Sequence, residues 1–330
     1  MLNEFEKSHL FKAAAGTVGQ DAGASLNSVR WMVGGPMADA IWFGVAGVLL
    51  MAGTAAGHVI WKRRLNLAGI TTLPGLLIIS TTVGGFLAAP FWWFDLPASF
   101  AWDLPPLAAR MLSAASLAFG VAGLLVLRRP EQGPCRFYNT MLAFCLVPLA
   151  MAAVIFDIER FDFGLPVTYG FFAVVLVLST SSLSALFPPM EIVRVPRAAK
   201  APEPPSPSLR TGFVFLAAAF GVWGVALFVL PDELSGLWSL WPGDTLTSRL
   251  NAATKLALAA AFAMAVRDRQ HVAPALLFAS VYGFGVLAAC LVSLVEGDTG
   301  PRGFAAVFGA LGATSTAMLA ARHRSRDSAP

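Results

Sequence analysis

Residues 102–129 read WDLPPLAARMLSAASLAFGVAGLLVLRR, and residues 241–268 read WPGDTLTSRLNAATKLALAAAFAMAVRD. One offset of 139 places Trp102 on Trp241, Leu107 on Leu246, Arg110 on Arg249 and Arg128 on Arg267, and it also carries Asp157 onto Glu296. Each copy runs from a tryptophan through a proline-containing turn and an arginine into a long apolar stretch that ends in a basic residue. The pattern reads as a duplicated membrane unit.

Composition sets the class. Of 330 residues, 57% are hydrophobic and 13% charged, with a mean hydropathy of +0.69. A soluble domain carries about 25% charged residues. Several apolar runs approach the roughly 20 residues that a helix needs to cross a bilayer. They are continuous rather than alternating, which favours helices over a transmembrane barrel. The expected fold is an all-α polytopic membrane protein of nine transmembrane helices, one N-terminal helix followed by two parallel four-helix repeats.

The expected divisions are an interfacial or disordered segment over 1–36, a first transmembrane helix within 37–61, and a four-helix repeat over 71–187. A Pro-rich cytoplasmic linker over 188–210, a second four-helix repeat over 211–321 and a basic tail over 322–330 follow. In the first repeat the spans fall at about 71–91, 107–127, 137–156 and 167–187; in the second, at about 211–230, 246–266, 272–295 and 303–321. An even number of spans per repeat inserts both the same way up, relating them by a pseudo-twofold along the membrane normal. In the first span Gly53 and Gly57 form a small-xxx-small pair suited to close packing against another helix of the same chain.

Lysines and arginines orient the chain. Lys62, Arg63, Arg64, Arg128, Arg129, Arg136, Arg194, Arg197, Lys200 and Arg210 fall on one side, joined by Arg267, Arg269, Arg322, Arg324 and Arg326. The opposite loops hold only Arg110, Arg160, Arg249 and Arg302, together with most of the acids. The basic side is therefore expected in the cytoplasm, with the N-terminus outside and the C-terminus inside, in a bacterial inner (cell) membrane. Lys7, Lys12 and Arg30 run against this assignment and are partly offset by Glu4, Glu6 and Asp21. The N-terminus lacks the basic and apolar regions of a cleavable signal.

Five ionisable residues are the candidate ligand-binding set: Arg110, Asp157, Arg249, Lys255 and Glu296. Arg110 and Arg249 begin matching spans, while Asp157 and Glu296 end matching spans, so all four share the outer layer. Arg110–Asp157 and Arg249–Glu296 are the expected pairs, one within each repeat. They can serve as structural anchors or as the polar floor of a ligand site. Lys255 lies six residues past Arg249, about 9 Å deeper. Asn251 and Ser248 share its face at i−4 and i−7, and Glu296 or Asp157 is its expected partner; snorkelling to the outer surface is the alternative. Trp92, Trp93, Trp102, Trp238 and Trp241 suit an aromatic belt, with short interfacial helices in the loops that hold them. The hydroxyl clusters 179–182 and 314–316 suit interhelical or back-bonded hydrogen bonds.

There is no P-loop, G-x-S-x-G, H-E-x-x-H, C-x-x-C or dinucleotide fingerprint in the sequence. The three cysteines, Cys135, Cys145 and Cys290, lack metal spacing, and the four histidines are scattered. No cofactor, metal or catalytic residue is assigned, and an enzyme is the less favoured class. A net charge of +4 does not call for nucleic acid. The expected partners are the lipid bilayer, a lipid-like ligand and a membrane-protein partner. The leading reading is a protein that binds or translocates an amphipathic or lipid-like molecule between the two repeats. A structural or accessory subunit of a larger membrane complex is the second reading. A membrane enzyme acting on a lipid-linked substrate at the outer face is the third.

Overall fold

The structure, a computed structural model, describes residues 36–94, 100–102, 104–187, 204–238, 244–297 and 301–327. The expectations for the N-terminal segment before residue 36, for most of the Pro-rich linker and for Trp241 lie outside these residues. The chain divides into two compact units, Met1–Val45 and Ala46–Pro330. Of the first, the described part is the beginning of helix α1.

Among the described residues there is no strand, and nine helices are long and apolar enough to cross a membrane. They are α1 (Pro36–Leu67), α2 (Thr72–Trp93), α3 (Pro106–Arg128), α4 (Gln132–Met151), α5 (Pro166–Leu186) and α6 (Pro207–Val229). After the short α7 (Pro231–Trp238) come α8 (Thr245–Arg267), α9 (Val272–Val295) and α10 (Arg302–Asp327). The chain is thus a multi-pass integral membrane protein. Helix α7 supplies a short helix of the kind expected between spans; residues 95–99, its expected counterpart, lie outside the described set.

Local chemistry fixes the helix ends. Prolines stand in the first turn of α3, α5 and α6, where the missing N–H costs no hydrogen bond. The Ser206–Pro207 start brings α6 in four residues before the expected 211, shortening the linker. At the other end of the chain, nothing from Ala313 to Asp327 is a glycine or proline, so α10 absorbs much of the expected basic tail. Helix α1 also outlasts its expected end at 61 and stops at Gly69, whose φ of 72° closes it. There Ile70 N–H donates to Leu65 O and Gly69 N–H to Asn66 O, both at 3.1 Å, a Schellman closure.

Packing is selective. Helix α3 lies against α2 and α9, and α9 also against α10; α8 lies against α6 and α4, and α4 also against α5. Helices α3, α8 and α9 are the most buried. Helix α1 meets α2 through its glycine pair: a Cβ on Gly53 would stand 2.7 Å from Val83 Cγ1, and one on Gly57 2.6 Å from Ile79 Cγ2. The hydroxyl clusters form the expected bonds. Ser179 Oγ donates to Leu146 O at 2.8 Å, and Thr316 Oγ1 shares a 2.5 Å hydrogen bond with Ser280. Thr314 Oγ1 donates back to Ala310 O at 2.7 Å. Tyr138 of α4 joins three helices, bonded to Thr81 of α2 at 3.1 Å and to Phe119 O of α3 at 3.2 Å.

Two crossings bring backbone against backbone. A Cβ on Gly85 of α2 would stand 2.6 Å from Ser116 O and 2.9 Å from Gly120 N of α3. One on Gly283 of α9 would stand 2.7 Å from both Gly312 N and Phe308 O of α10. Neither neighbour can rotate away. Gly85→Leu and Gly283→Leu are each expected to destabilise the protein by about 1–3 kcal/mol, read as a lowered thermal midpoint in detergent. Gly212→Ala, with nothing within 4 Å of the added carbon, serves as the neutral control.

Candidate functional site

The site begins where α4 ends. Pro148 has no N–H to donate within α4, and the helix then widens to a π turn over Ala152–Phe156. Asp157 N–H reaches back five residues to Ala152 O at 2.9 Å. That register delivers the Asp157 carboxylate to the first turns of α8. Thr245 Oγ1 donates to Asp157 Oδ1 at 2.6 Å, and Arg249 Nη1 donates to Asp157 Oδ2 at 2.7 Å. Thr245 and Arg249 are one turn apart, so a single helical face grips both oxygens. Arg249 is held further by Phe228 O, which accepts from Nε at 3.3 Å, and by the Phe156 ring, 4.7 Å from the guanidinium carbon. Asp244 fixes the start of α8, accepting from Thr247 N–H at 3.1 Å and from the Thr247 hydroxyl.

The matching pair joins α3 to α9. Arg110 in the first turns of α3 donates through both Nη atoms to the two oxygens of Glu296, each at 2.6 Å. This is the planar two-point fork that arginine and carboxylate favour. Glu296 caps α9 just before Gly297, whose φ of 98° turns the chain away.

These contacts correct the expected pairing. Arg110 does not meet Asp157, nor Arg249 Glu296; each arginine crosses to the carboxylate on the other half of the chain. The 139-residue offset relates one bond to the other, because 249 − 110 and 296 − 157 are both 139. The environments differ. Asp157 is 2% exposed in its pair, whereas Glu296 is 51% exposed. Both bonds lie at one end of the bundle. At the opposite end Arg64 donates to Arg128 O at 3.5 Å, and Arg322 to Arg269 O at 3.2 Å.

Lys255 stands ten residues into α8 from Thr245, about 15 Å along the axis, which is half the thickness of a hydrocarbon core. It is 0% exposed. It meets neither Glu296 nor Asp157 and does not snorkel to the surface. Its Nζ donates to Asn251 Oδ1 one turn back. It also lies 4.4 Å from the Trp223 ring centre and 5.6 and 5.5 Å from those of Phe304 and Phe308. Gly224 lets α6 approach α8 so closely that a Cβ would stand 2.9 Å from Leu256, and this seats Trp223 over the amine. A lysine at mid-membrane costs about 3 kcal/mol. A desolvated cation–ring contact returns about 2 kcal/mol, and a hydrogen bond from a charged group about 1.5–3 kcal/mol. The cage therefore offsets the burial, although among the described residues no carboxylate neutralises the charge.

A crevice of about 10 Å³, enough for one water, separates α3 from α8. Ala108, Met111 and Leu112 line one wall, Thr247, Leu250, Asn251 and Thr254 the other, with Tyr282 of α9 beside them. Asn251 belongs both to this wall and to Lys255. Nearby, Ser248 Oγ is buried without a hydrogen-bond partner. The five sequence candidates are therefore brought to one end and the centre of the bundle, four as crossed pairs and Lys255 beneath them. The sequence reading missed Thr245, whose signal is its i−4 spacing from Arg249. It also missed the rings of Trp223, Phe304 and Phe308, which look like ordinary core residues. Trp102, expected in the aromatic belt, instead packs edge-on against Phe161 and Phe171, at 5.3 and 5.2 Å between ring centres. Among the described residues no three of His, Cys, Asp or Glu gather where they could hold a metal.

The chain matches no protein-family model, no curated protein and no solved structure to a significant level.

The two ion pairs should differ on truncation. Asp157→Ala removes a buried carboxylate from the largely buried Arg249 and is expected to cost about 3–5 kcal/mol. Glu296→Ala removes a half-exposed carboxylate from an arginine buried to a similar degree, and is expected to cost less than Asp157→Ala but more than the ~1 kcal/mol of a surface pair. Unfolding midpoints in detergent compare them directly.

Proposed function

We propose that this membrane protein binds or translocates an amphipathic, lipid-like molecule between two parallel four-helix units, residues 71–187 and 211–321, with its polar contacts in the outer layer. The observation that carries the reading is the crevice between α3 and α8. Its α3 wall is apolar, its α8 wall carries Thr247, Asn251 and Thr254 beside Leu250, crossed ion pairs stand at its head, and a buried lysine neighbours Asn251. An amphipathic cleft suits an amphipathic ligand. Helices α3 and α8 touch each other lightly and are held instead through α9 and α4, so the seam can widen without separating the well-packed pairs.

The duplication supports the same reading. Residues matched by the 139 offset take reciprocal places, α3 on α9 and α8 on α4, as a copied unit related by a twofold along the membrane normal would require. In this proposal the end bearing Arg110 and Arg249 faces outward, and the end bearing Arg64, Arg128, Arg269 and Arg322 faces the cytoplasm of a bacterial cell. The N-terminus is outside.

Purification in mild detergent, followed by mass spectrometry of retained lipids and proteins, tests the proposal. The wild type is expected to retain one amphipath far above its share of bulk lipid. Thr254→Leu, which overfills the crevice, is expected to lose it in protein that still runs as a single folded species in size-exclusion chromatography. Retention of lipids only in bulk proportion, with a stoichiometric membrane-protein partner, would instead make the chain an accessory subunit.

A further inference from the structure

The amphipath can be given a head group. We infer that it is a long-chain carboxylic acid whose carboxylate seats against Lys255 and Asn251 at the foot of the α3–α8 crevice. This rests on the crevice being the ligand site.

Three observations lead there. Lys255 is fully buried at mid-membrane, yet its contacts are one amide oxygen and three aromatic rings. The carboxylates at the head of the crevice are already held, Asp157 by Arg249 and Thr245, and Glu296 by Arg110. The cage thus stabilises a cation without neutralising it, and a buried charge calls for an opposite one. Second, unused donors share this face of α8. With Asn251 Oδ1 occupied by Lys255, the amide N–H2 remains to donate, two ammonium hydrogens remain on Nζ, and Ser248 Oγ is buried without a partner. Third, Ala108, Met111 and Leu112 across the crevice offer apolar contact for a hydrocarbon chain, and the lightly touching α3 and α8 can part to admit it.

The ionised acid pairs with the ammonium directly, with no proton transferred; a protonated acid forms the same pair only with the unprotonated amine, to which its proton then moves. The corresponding position of the first half, Ser116, carries no charge and donates to Gly85 O at 3.2 Å, so the site belongs to the second half alone.

The test measures binding of radiolabelled hexadecanoate, hexadecanol and hexadecyl phosphate to detergent-purified full-length protein. Wild type is compared with Lys255→Met and Asn251→Asp. The second variant places a carboxylate within hydrogen-bond reach of Lys255 and so supplies the counter-ion internally. Wild type is expected to hold hexadecanoate at least about tenfold tighter than hexadecanol. Both variants should bring the acid down to the level of the alcohol. Equal binding of acid and alcohol to wild type would overturn the inference and leave the crevice as a binding site. A preference for hexadecyl phosphate that depends on Lys255 would overturn the carboxylate assignment. Binding of none of the three would overturn the crevice reading together with this one.

Discussion

A charged side chain in a membrane-spanning bundle must find an opposite charge, a ring of donors and acceptors, or a route to water. That requirement organises the centre of this protein. Arg110 and Arg249 sit in the first turns of α3 and α8, too near the apolar layer to be left alone, and each reaches a carboxylate at the end of a neighbouring helix. Because the partner comes from the other half of the chain, the two halves are tied by their ionic residues and not merely laid side by side. The apolar contacts of α3 with α9 and of α4 with α8 follow the same lines.

The two halves differ at positions matched by the 139-residue offset. The first enters α3 through Pro105 and Pro106, with no side-chain cap, and its arginine meets a well-exposed glutamate. The second enters α8 through an aspartate cap, gains Thr245 as an extra donor, and buries its carboxylate almost completely. Deeper in the same helices, Ser116 and Lys255 occupy matched positions. The serine ties α3 to α2; the lysine is enclosed by rings from α6 and α10. The two halves thus share their packing lines while the buried lysine is confined to one of them.

Most of the architecture was legible in advance, because long apolar runs, loop prolines and basic clusters report directly on helices that must satisfy their backbone within a bilayer. The span positions agree to within a few residues. The ends that shifted, at Pro207 and beyond Ala321, were decided by a Ser-Pro start and by the lack of any breaker. The pairing of charges was not legible, for a physical reason. In a duplicated chain, a bond within each half and a bond between halves satisfy the same offset, and only packing decides between them. The surroundings of Lys255 were hidden too. Its face with Asn251 and Ser248 followed from helical spacing, but the rings over it come from helices far away in sequence.

The unequal exposure of the two crossed bonds has a consequence for the medium around the protein. Dissolved ions weaken interactions that water can reach and leave enclosed ones nearly untouched. Glu296 is within their reach and Asp157 is not. Brine and fresh water therefore act on one seam of the bundle while the other stays shut, so the molecule yields to ionic strength along a single edge.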